Sequence, residues 1–253
     1  MVDVTVGLLH PGEMGAALGG ALVESGRRVV WASAGRSAAT AARARGAALE
    51  DVESLAEVRR LSDVIVSVCP PHAAADVARS VQGFSGIFVD ANAIAPATTR
   101  AIAAHIERFV DGGIIGPPPR SDGTTRLYLA GNEATAVAEL FAGTAVDARV
   151  ISADVGDGSA LKMVYAAWTK GTAALLLAIR DAARFNGVGE ALLDEWHLSL
   201  PELVDLLPRA EQSASAKGWR WVGEMEEIAA TFADAGEPAG FHQAAAEIFR
   251  RAK

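Results

Sequence analysis

Four short stretches of this chain carry residue types able to hold a nucleotide. The first is His10-Pro11-Gly12-Glu13-Met14-Gly15. Glycines at 12 and 15 let the backbone come close to a pyrophosphate, and free N–H groups at the start of a following helix add donors and a positive dipole end. A full G-x-G-x-x-G spacing would put glycine at position 10, where the chain has His10. That histidine reads as a turn residue over the ligand rather than as a base. Gly12, Glu13, Met14 and Gly15 are the candidate cofactor contacts. The second stretch is Trp31-Ala-Ser33-Ala-Gly-Arg36-Ser37. A site built for NAD places an acid here for the ribose 2′-hydroxyl, and this stretch has none. Ser33, Arg36 and Ser37 are donors, and Arg36 can pair with a 2′-phosphate, so NADP(H) is expected in preference to NAD(H). The third and fourth stretches are Cys69-Pro70-Pro71-His72 and Asp90-Ala-Asn92-Ala-Ile-Ala-Pro96. Cys69 and Pro70 read as packing beside the cofactor. Asn92 either reaches a ribose or nicotinamide amide or only shapes its turn.

Positioning these stretches requires alternating strands and helices. Residues 2–9 form a β-branched apolar run, followed by the glycine turn, an Ala/Leu-rich helix to about Ser25, a stop at Gly26 and a strand at 28–31. Strand, glycine turn, helix and strand within about 30 residues make a dinucleotide-binding βαβ unit. Apolar runs at 64–68 and 87–89 end in the third and fourth stretches, at carboxyl ends of strands, where doubly wound sheets hold ligands. Further strands are expected at 126–130 and 149–152, with a helix between them ending near Phe141. The expected class is therefore α/β, a Rossmann-type doubly wound sheet, over residues 1–155.

From Gly156 to Gly187 the chain reads as one helix, 157–186, about 45 Å long, with Asp157 or Ser159 able to cap its start and Gly187 its end. Between Met163 and Ile179 its only charge is Lys170, and apolar residues occur all round the wheel, which predicts burial on every side. Lys170 and Gly171 argue against a membrane span. The rest, to residue 253, is helical by pattern, with breaks expected at Pro201, Gly218 and 236–240. Residues 156–253 thus form a second, all-α domain. Trp219 and Trp221, with Glu224, Glu226 and Glu227, could line a substrate pocket or dimer groove, but core packing above an acidic face is the expected reading. His242 could face the active site, but a capping or packed histidine is expected.

Composition narrows the partners. With 253 residues, 51% hydrophobic, the chain can bury a full core, and a net charge of −8 without a basic tract argues against nucleic acid. A single cysteine cannot form an internal disulfide, and no signal peptide is apparent, so a cytoplasmic location is expected. No His/Cys/Asp/Glu set has metal-site spacing.

Four motifs in order resemble the β-hydroxyacid dehydrogenase family, relatives of 6-phosphogluconate dehydrogenase that include the imine reductases. Gly7-Leu-Leu-His10-Pro-Gly12-Glu-Met14-Gly15 resembles G-x-x-G-L-G-x-M-G. Asp90-Ala-Asn92-Ala93-Ile-Ala-Pro96 resembles D-x-S-T-x-x-P. Asp111-Gly-Gly-Ile-Ile115-Gly116-Pro117 resembles the substrate-loop motif D-A-P-V-S-G-G, with Ile115 for its serine. Gly156-Asp-Gly158-Ser-Ala-Leu-Lys162-Met-Val-Tyr165-Ala166 resembles G-x-G-x-x-x-K-x-x-N-N, keeping the lysine and replacing both asparagines. The resemblance implies an NAD(P)-dependent oxidoreductase, with a homodimer formed through the helical domain. It makes Lys162 the acid/base residue and places Ile115, Gly116, Tyr165 and Ala166 around the substrate. Hydride transfer to a carbonyl builds charge on oxygen, which an ammonium can stabilise and protonate. A helix N-terminus and burial would lower the lysine's pKa towards a useful range. Ile115 and Ala166 lack the hydrogen bonds that hold a small hydroxyacid, so a bulkier or more apolar substrate is expected. The alternatives are an imine reductase and an NADPH-binding sensor without turnover.

Overall fold

The computed structural model describes residues 4–120 and 123–251. Residues 2 and 3 of the expected first strand lie outside them. The chain divides into two compact units, residues 1–162 and 163–253.

The first unit is a doubly wound sheet. Its strands are β1 (Thr5–Leu9), β2 (Arg28–Trp31), β3 (Glu50–Asp51), β4 (Val64–Ser67), β5 (Ile87–Asp90), β6 (Phe109–Ile115), β7 (Thr125–Ala130) and β8 (Val146–Ser152). They lie in the order β3-β2-β1-β4-β5-β6-β7-β8. Strands β1 to β6 are mutually parallel, β7 runs antiparallel to β6, and β8 pairs parallel with β7. Strand alternation divides the core into two layers. Val6, Leu8, Val29, Trp31, Val64, Val66, Ile87 and Val89 face one layer, with α1 (Glu13–Glu24) and α6 (Ala134–Leu140). Leu9, Val30, Ile65 and Phe88 face the other, with α3 (Leu55–Leu61), α4 (Ala74–Ser80) and α5 (Pro96–Ala103). Helix α2 (Ala38–Gly46) joins β2 to β3. A fully apolar strand is legible as buried. The two-residue β3 carries no such signal, and neither does β6, a wholly buried strand over residues 109–115 that ends at Ile115 of the substrate-loop motif. Its Gly112-Gly113 pair lowers strand propensity, and at Gly113 it lets other backbone approach.

The long helix α7 (Asp157–Phe185) matches the expected span. Its end is as predicted: Gly187 adopts φ 70°, and Val188 N donates to Ala183 O at 3.0 Å. Its start differs. The cap is Asp111 on β6, whose Oδ2 accepts from Gly156 N (3.0 Å) and Ser159 N (2.9 Å). This long-range anchor ties the first turn of α7 to the sheet, so the division falls at Lys162 rather than at residue 155.

The second unit contains the rest of α7, α8 (Gly189–Ser199), α9 (Pro201–Asp234) and α10 (Gly240–Arg251). No break occurs at Gly218. Ala210, Ala214 and Gly218 recur every four residues as a buried small-residue face of α9, and close packing outweighs the roughly 1 kcal/mol that glycine costs in a helix. Lys170 of α7 pairs with Glu224 of α9 at 2.7 Å with both side chains mostly buried. Trp221 stacks edge-on against Phe249 at 5.1 Å, and His242 is buried against Phe232, as packed residues. Two expectations fail here. Trp219 is 73% exposed, and Val164, Trp168 and Leu175 of α7 are exposed too, Trp168 by 74%. An apolar wheel records what must be covered, while one chain has too few elements to cover a helix of 29 residues on every side. No helix among the described residues is long and apolar enough to cross a membrane.

Candidate active site

The glycine turn follows β1 directly. His10 takes the left-handed conformation at φ 65°, and Gly12 N donates to its carbonyl at 2.7 Å. A side chain there costs about 1–2 kcal/mol that glycine would not. Gly15 is required by space, since its Cβ would lie 2.7 Å from His10 O. At Gly12 a Cβ would meet nothing nearer than His10 O at 4.0 Å, so one side of the turn is open. No side chain caps α1 at Gly12. An open glycine turn before an uncapped helix start fits a dinucleotide pyrophosphate. Glu13 is exposed on that first turn, and Met14 packs into the core beneath it. The His10 ring is half-buried, with Nδ1 enclosed and without a hydrogen-bond partner. Burial, and then the charge of Arg36, pull its pKa down to about 4, so the ring is neutral at physiological pH.

Beyond β2, Arg36 is exposed and Ser37 caps α2, accepting from Thr40 N at 3.2 Å. Arg43 of α2 reaches back, its Nε donating to Pro11 O at 3.3 Å. One acid escaped the sequence reading because it lies on the short β3. Asp51 Oδ1 accepts from Ser33 N (3.2 Å) and Glu53 N (2.8 Å), fixing the loop that carries Ser33.

Asn92 is 2% exposed, and both ends of its amide are engaged within the scaffold. Its Oδ1 accepts from Cys69 N at 2.6 Å, and Nδ2 donates to Ser67 Oγ at 3.2 Å. The side chain thus clamps the ends of β4 and β5 together, the turn-shaping side of the expectation. Pro70 is exposed beside it. The Cys69 thiol is pushed up to about 11 by burial, so it stays protonated and packs against the core.

Asp90 and Asp111 are cross-strand partners, both buried. Burial raises Asp90 to about 7, with the charge of Asp111 adding to the shift. Asp111 is also raised by burial, but hydrogen bonds from Ser159, Gly156 and Gly158 oppose it. Its Oδ1 accepts from Ser159 Oγ at 2.6 Å, and that hydroxyl is 2.7 Å from Thr99 Oγ1 on α5. Strand β6 runs on past the end of β5, and α7 lies against that extension. A β-carbon at Gly113 would collide with the Gly158 carbonyl oxygen and sit 3.1 Å from Lys162 Cβ. Lys162, half-buried, is therefore held along the same sheet edge as the Cys69 and Asn92 turns. Ile115 is buried at the end of β6, and Gly116 takes φ 120°, where a β-carbon would strike Thr124 O. Tyr165 and Ala166 follow on α7, the first exposed and the second buried. Among the described residues, no group of side chains could hold a metal ion.

Residues 5–93 match the family described as "NADP oxidoreductase coenzyme F420-dependent", and residues 183–252 a domain of unknown function, DUF1932. A conserved protein of unknown function, MTH1747, described as structurally similar to 3-hydroxyacid dehydrogenases, superposes with a TM-score of 0.75 at 29% identity. The match covers 99% of this chain and 97% of that one. The chain has the hydroxyacid dehydrogenase fold. A 3-hydroxyisobutyrate dehydrogenase from Salmonella typhimurium shares this dehydrogenase fold at 16% identity and TM-score 0.73, over 98% and 93% of the two chains. So does a reductive aminase from Aspergillus terreus solved with NADPH4, at 16% identity and 0.60, over 99% and 94%. An uncharacterized 28.5 kDa protein of Methanothermus fervidus is 31% identical over 163 residues, and the match spans 63% of each chain.

Proposed function

We propose that the protein is an NADP(H)-dependent oxidoreductase that interconverts a carbonyl and an alcohol, with Lys162 as the acid/base residue. One observation carries this reading. Gly113, the Asp111 cap and the Thr99–Ser159 contact fix the first turn of α7 to the sheet edge where the glycine turn opens. Gly12, Gly15 and the first N–H groups of α1 would hold the pyrophosphate. Arg36 and the start of α2 would face the adenosine ribose, and the lack of an acid between Trp31 and Ser37 supports NADP(H). The bound cofactor would supply the hydride. In the reducing direction Lys162 gives a proton from Nζ to the substrate oxygen as charge builds there, and takes one back from solvent. In the oxidising direction it removes that proton.

The substrate is expected to be bulkier or more apolar than a small hydroxyacid. Ile115 and Ala166 stand where the resembling family has polar side chains, and unpaired polar groups of a ligand are rejected. The same replacements favour a second reading, an imine reductase, in which the acceptor is C=N and needs fewer hydrogen bonds. A second copy of the chain is proposed to cover the apolar face of α7.

The test is NADPH oxidation across ketoacids, aldehydes, ketones and cyclic imines, for the wild type and Lys162→Ala. The variant is expected to bind NADPH as the wild type does and to turn over about 10²–10⁴-fold more slowly. Native turnover by the variant removes Lys162 from the mechanism. Tight NADPH binding with silence on every compound would leave a binding protein instead.

A further inference from the structure

We propose that His10 determines cofactor specificity: its ring and the Arg36 guanidinium together take the phosphate that distinguishes NADP(H) from NAD(H). This rests on the dinucleotide reading above. Position 10 has a left-handed backbone, φ 65°, which glycine adopts without penalty and histidine does not. The ring offers little internal compensation, because it is only half-buried and its enclosed Nδ1 bonds to nothing. A buried ring nitrogen without an acceptor is a poor place for a proton, which puts the proton of the neutral imidazole on Nε2. The ring then presents an uncharged donor on its other edge.

The surroundings of that donor suit an anion. The Arg36 charge disfavours protonation of the ring and favours the thiolate of Cys69, just past β4, so the guanidinium lies within electrostatic reach of both. Arg43 of α2 is bonded to the carbonyl of Pro11, the next residue, so the segment carrying Arg36 and Ser37 flanks the turn. Two acids are near. Asp51 has Oδ1 occupied by the backbone N–H groups of Ser33 and Glu53, and Glu13 is exposed on α1. A neutral donor within electrostatic reach of a guanidinium, in a turn that α2 flanks, is suited to a phosphate on the adenosine ribose. The diphosphate, common to both cofactors, would lie instead over Gly12 and the start of α1.

The experiment is calorimetric titration of the full chain with NADPH and with NADH, for the wild type, His10→Gly and His10→Asn. Both replacements tolerate a positive φ, so their melting temperatures are expected to be no lower than that of the wild type. Loss of one hydrogen bond to a charged group should weaken NADPH about 10-fold or more in each variant and leave NADH within about twofold. An equal loss for both cofactors, or an unchanged ratio with a lower melting temperature, overturns the inference. A wild type that binds both cofactors equally also overturns it, while the dinucleotide reading stands. A wild type that binds neither overturns both.

Discussion

Asp90 is enclosed at the end of β5, with one carboxylate oxygen accepting from Asn92 N at 3.0 Å and the other without a partner. Its pKa, about 7 in the fold, lies above the ordinary carboxylate value. The fold therefore holds a proton that the unfolded chain releases from about pH 4 upward. Stability from this group is greatest below that pH, falls as pH rises towards 7, and is level above it. Asp90→Asn keeps an acceptor for Asn92 and removes the charge. Urea unfolding from pH 4 to 8 should show the variant gaining on the wild type up to pH 7, by on the order of a few kcal/mol. A constant difference across that range would mean that Asp90 is ionised in the fold. Which residues stand at the carboxyl ends of the strands was legible in sequence, because strand ends and glycines are local signals. Which of them are consumed by the scaffold was not. Asn92 looks like a ligand group until its two partners, Ser67 and Cys69, are brought 23–25 residues back to meet it.

Among the elements, α7 shows the same division. Its extent was readable from apolar content and Gly187, but its cap comes from Asp111, 45 residues away. No local pattern distinguishes that from self-capping by Asp157 or Ser159. The anchor makes a prediction. Asp111→Asn leaves one acceptor oxygen where the carboxylate accepts from Gly156 N, Ser159 N and Ser159 Oγ. It should cost about 2–3 kcal/mol in a urea titration. On the proposed reading it also slows turnover while leaving NADPH affinity near the wild-type value, because the glycine turn does not depend on it. If the activity loss tracked only the unfolded fraction, Asp111 would have no role in placing Lys162. The buried strand β6 was missed for a related reason. Glycines at 112 and 113 lower strand propensity locally, and only the helix laid against Gly113 explains them.

For the whole molecule, the uncovered apolar faces matter most. Val164, Trp168, Leu175 and Phe185 lie exposed on one helix of a 26.2 kDa chain, and large exposed apolar patches mark association surfaces. Light scattering should give twice the chain mass, and Trp168→Glu should shift it towards the monomer. A monodisperse wild-type monomer would exclude the second copy. Sequence periodicity states that these residues seek cover without saying whose. The chain passes from one compact unit to the next after Lys162, a natural joint for such chains to diversify. On the proposed reading, a crossover joint placed after residue 162 would pass on the whole cofactor cradle and the lysine as one inherited piece. Tyr165, Ala166 and everything after them would be exchangeable. Chimaeras joined there should keep their nucleotide preference while acquiring a donor's choice of substrate.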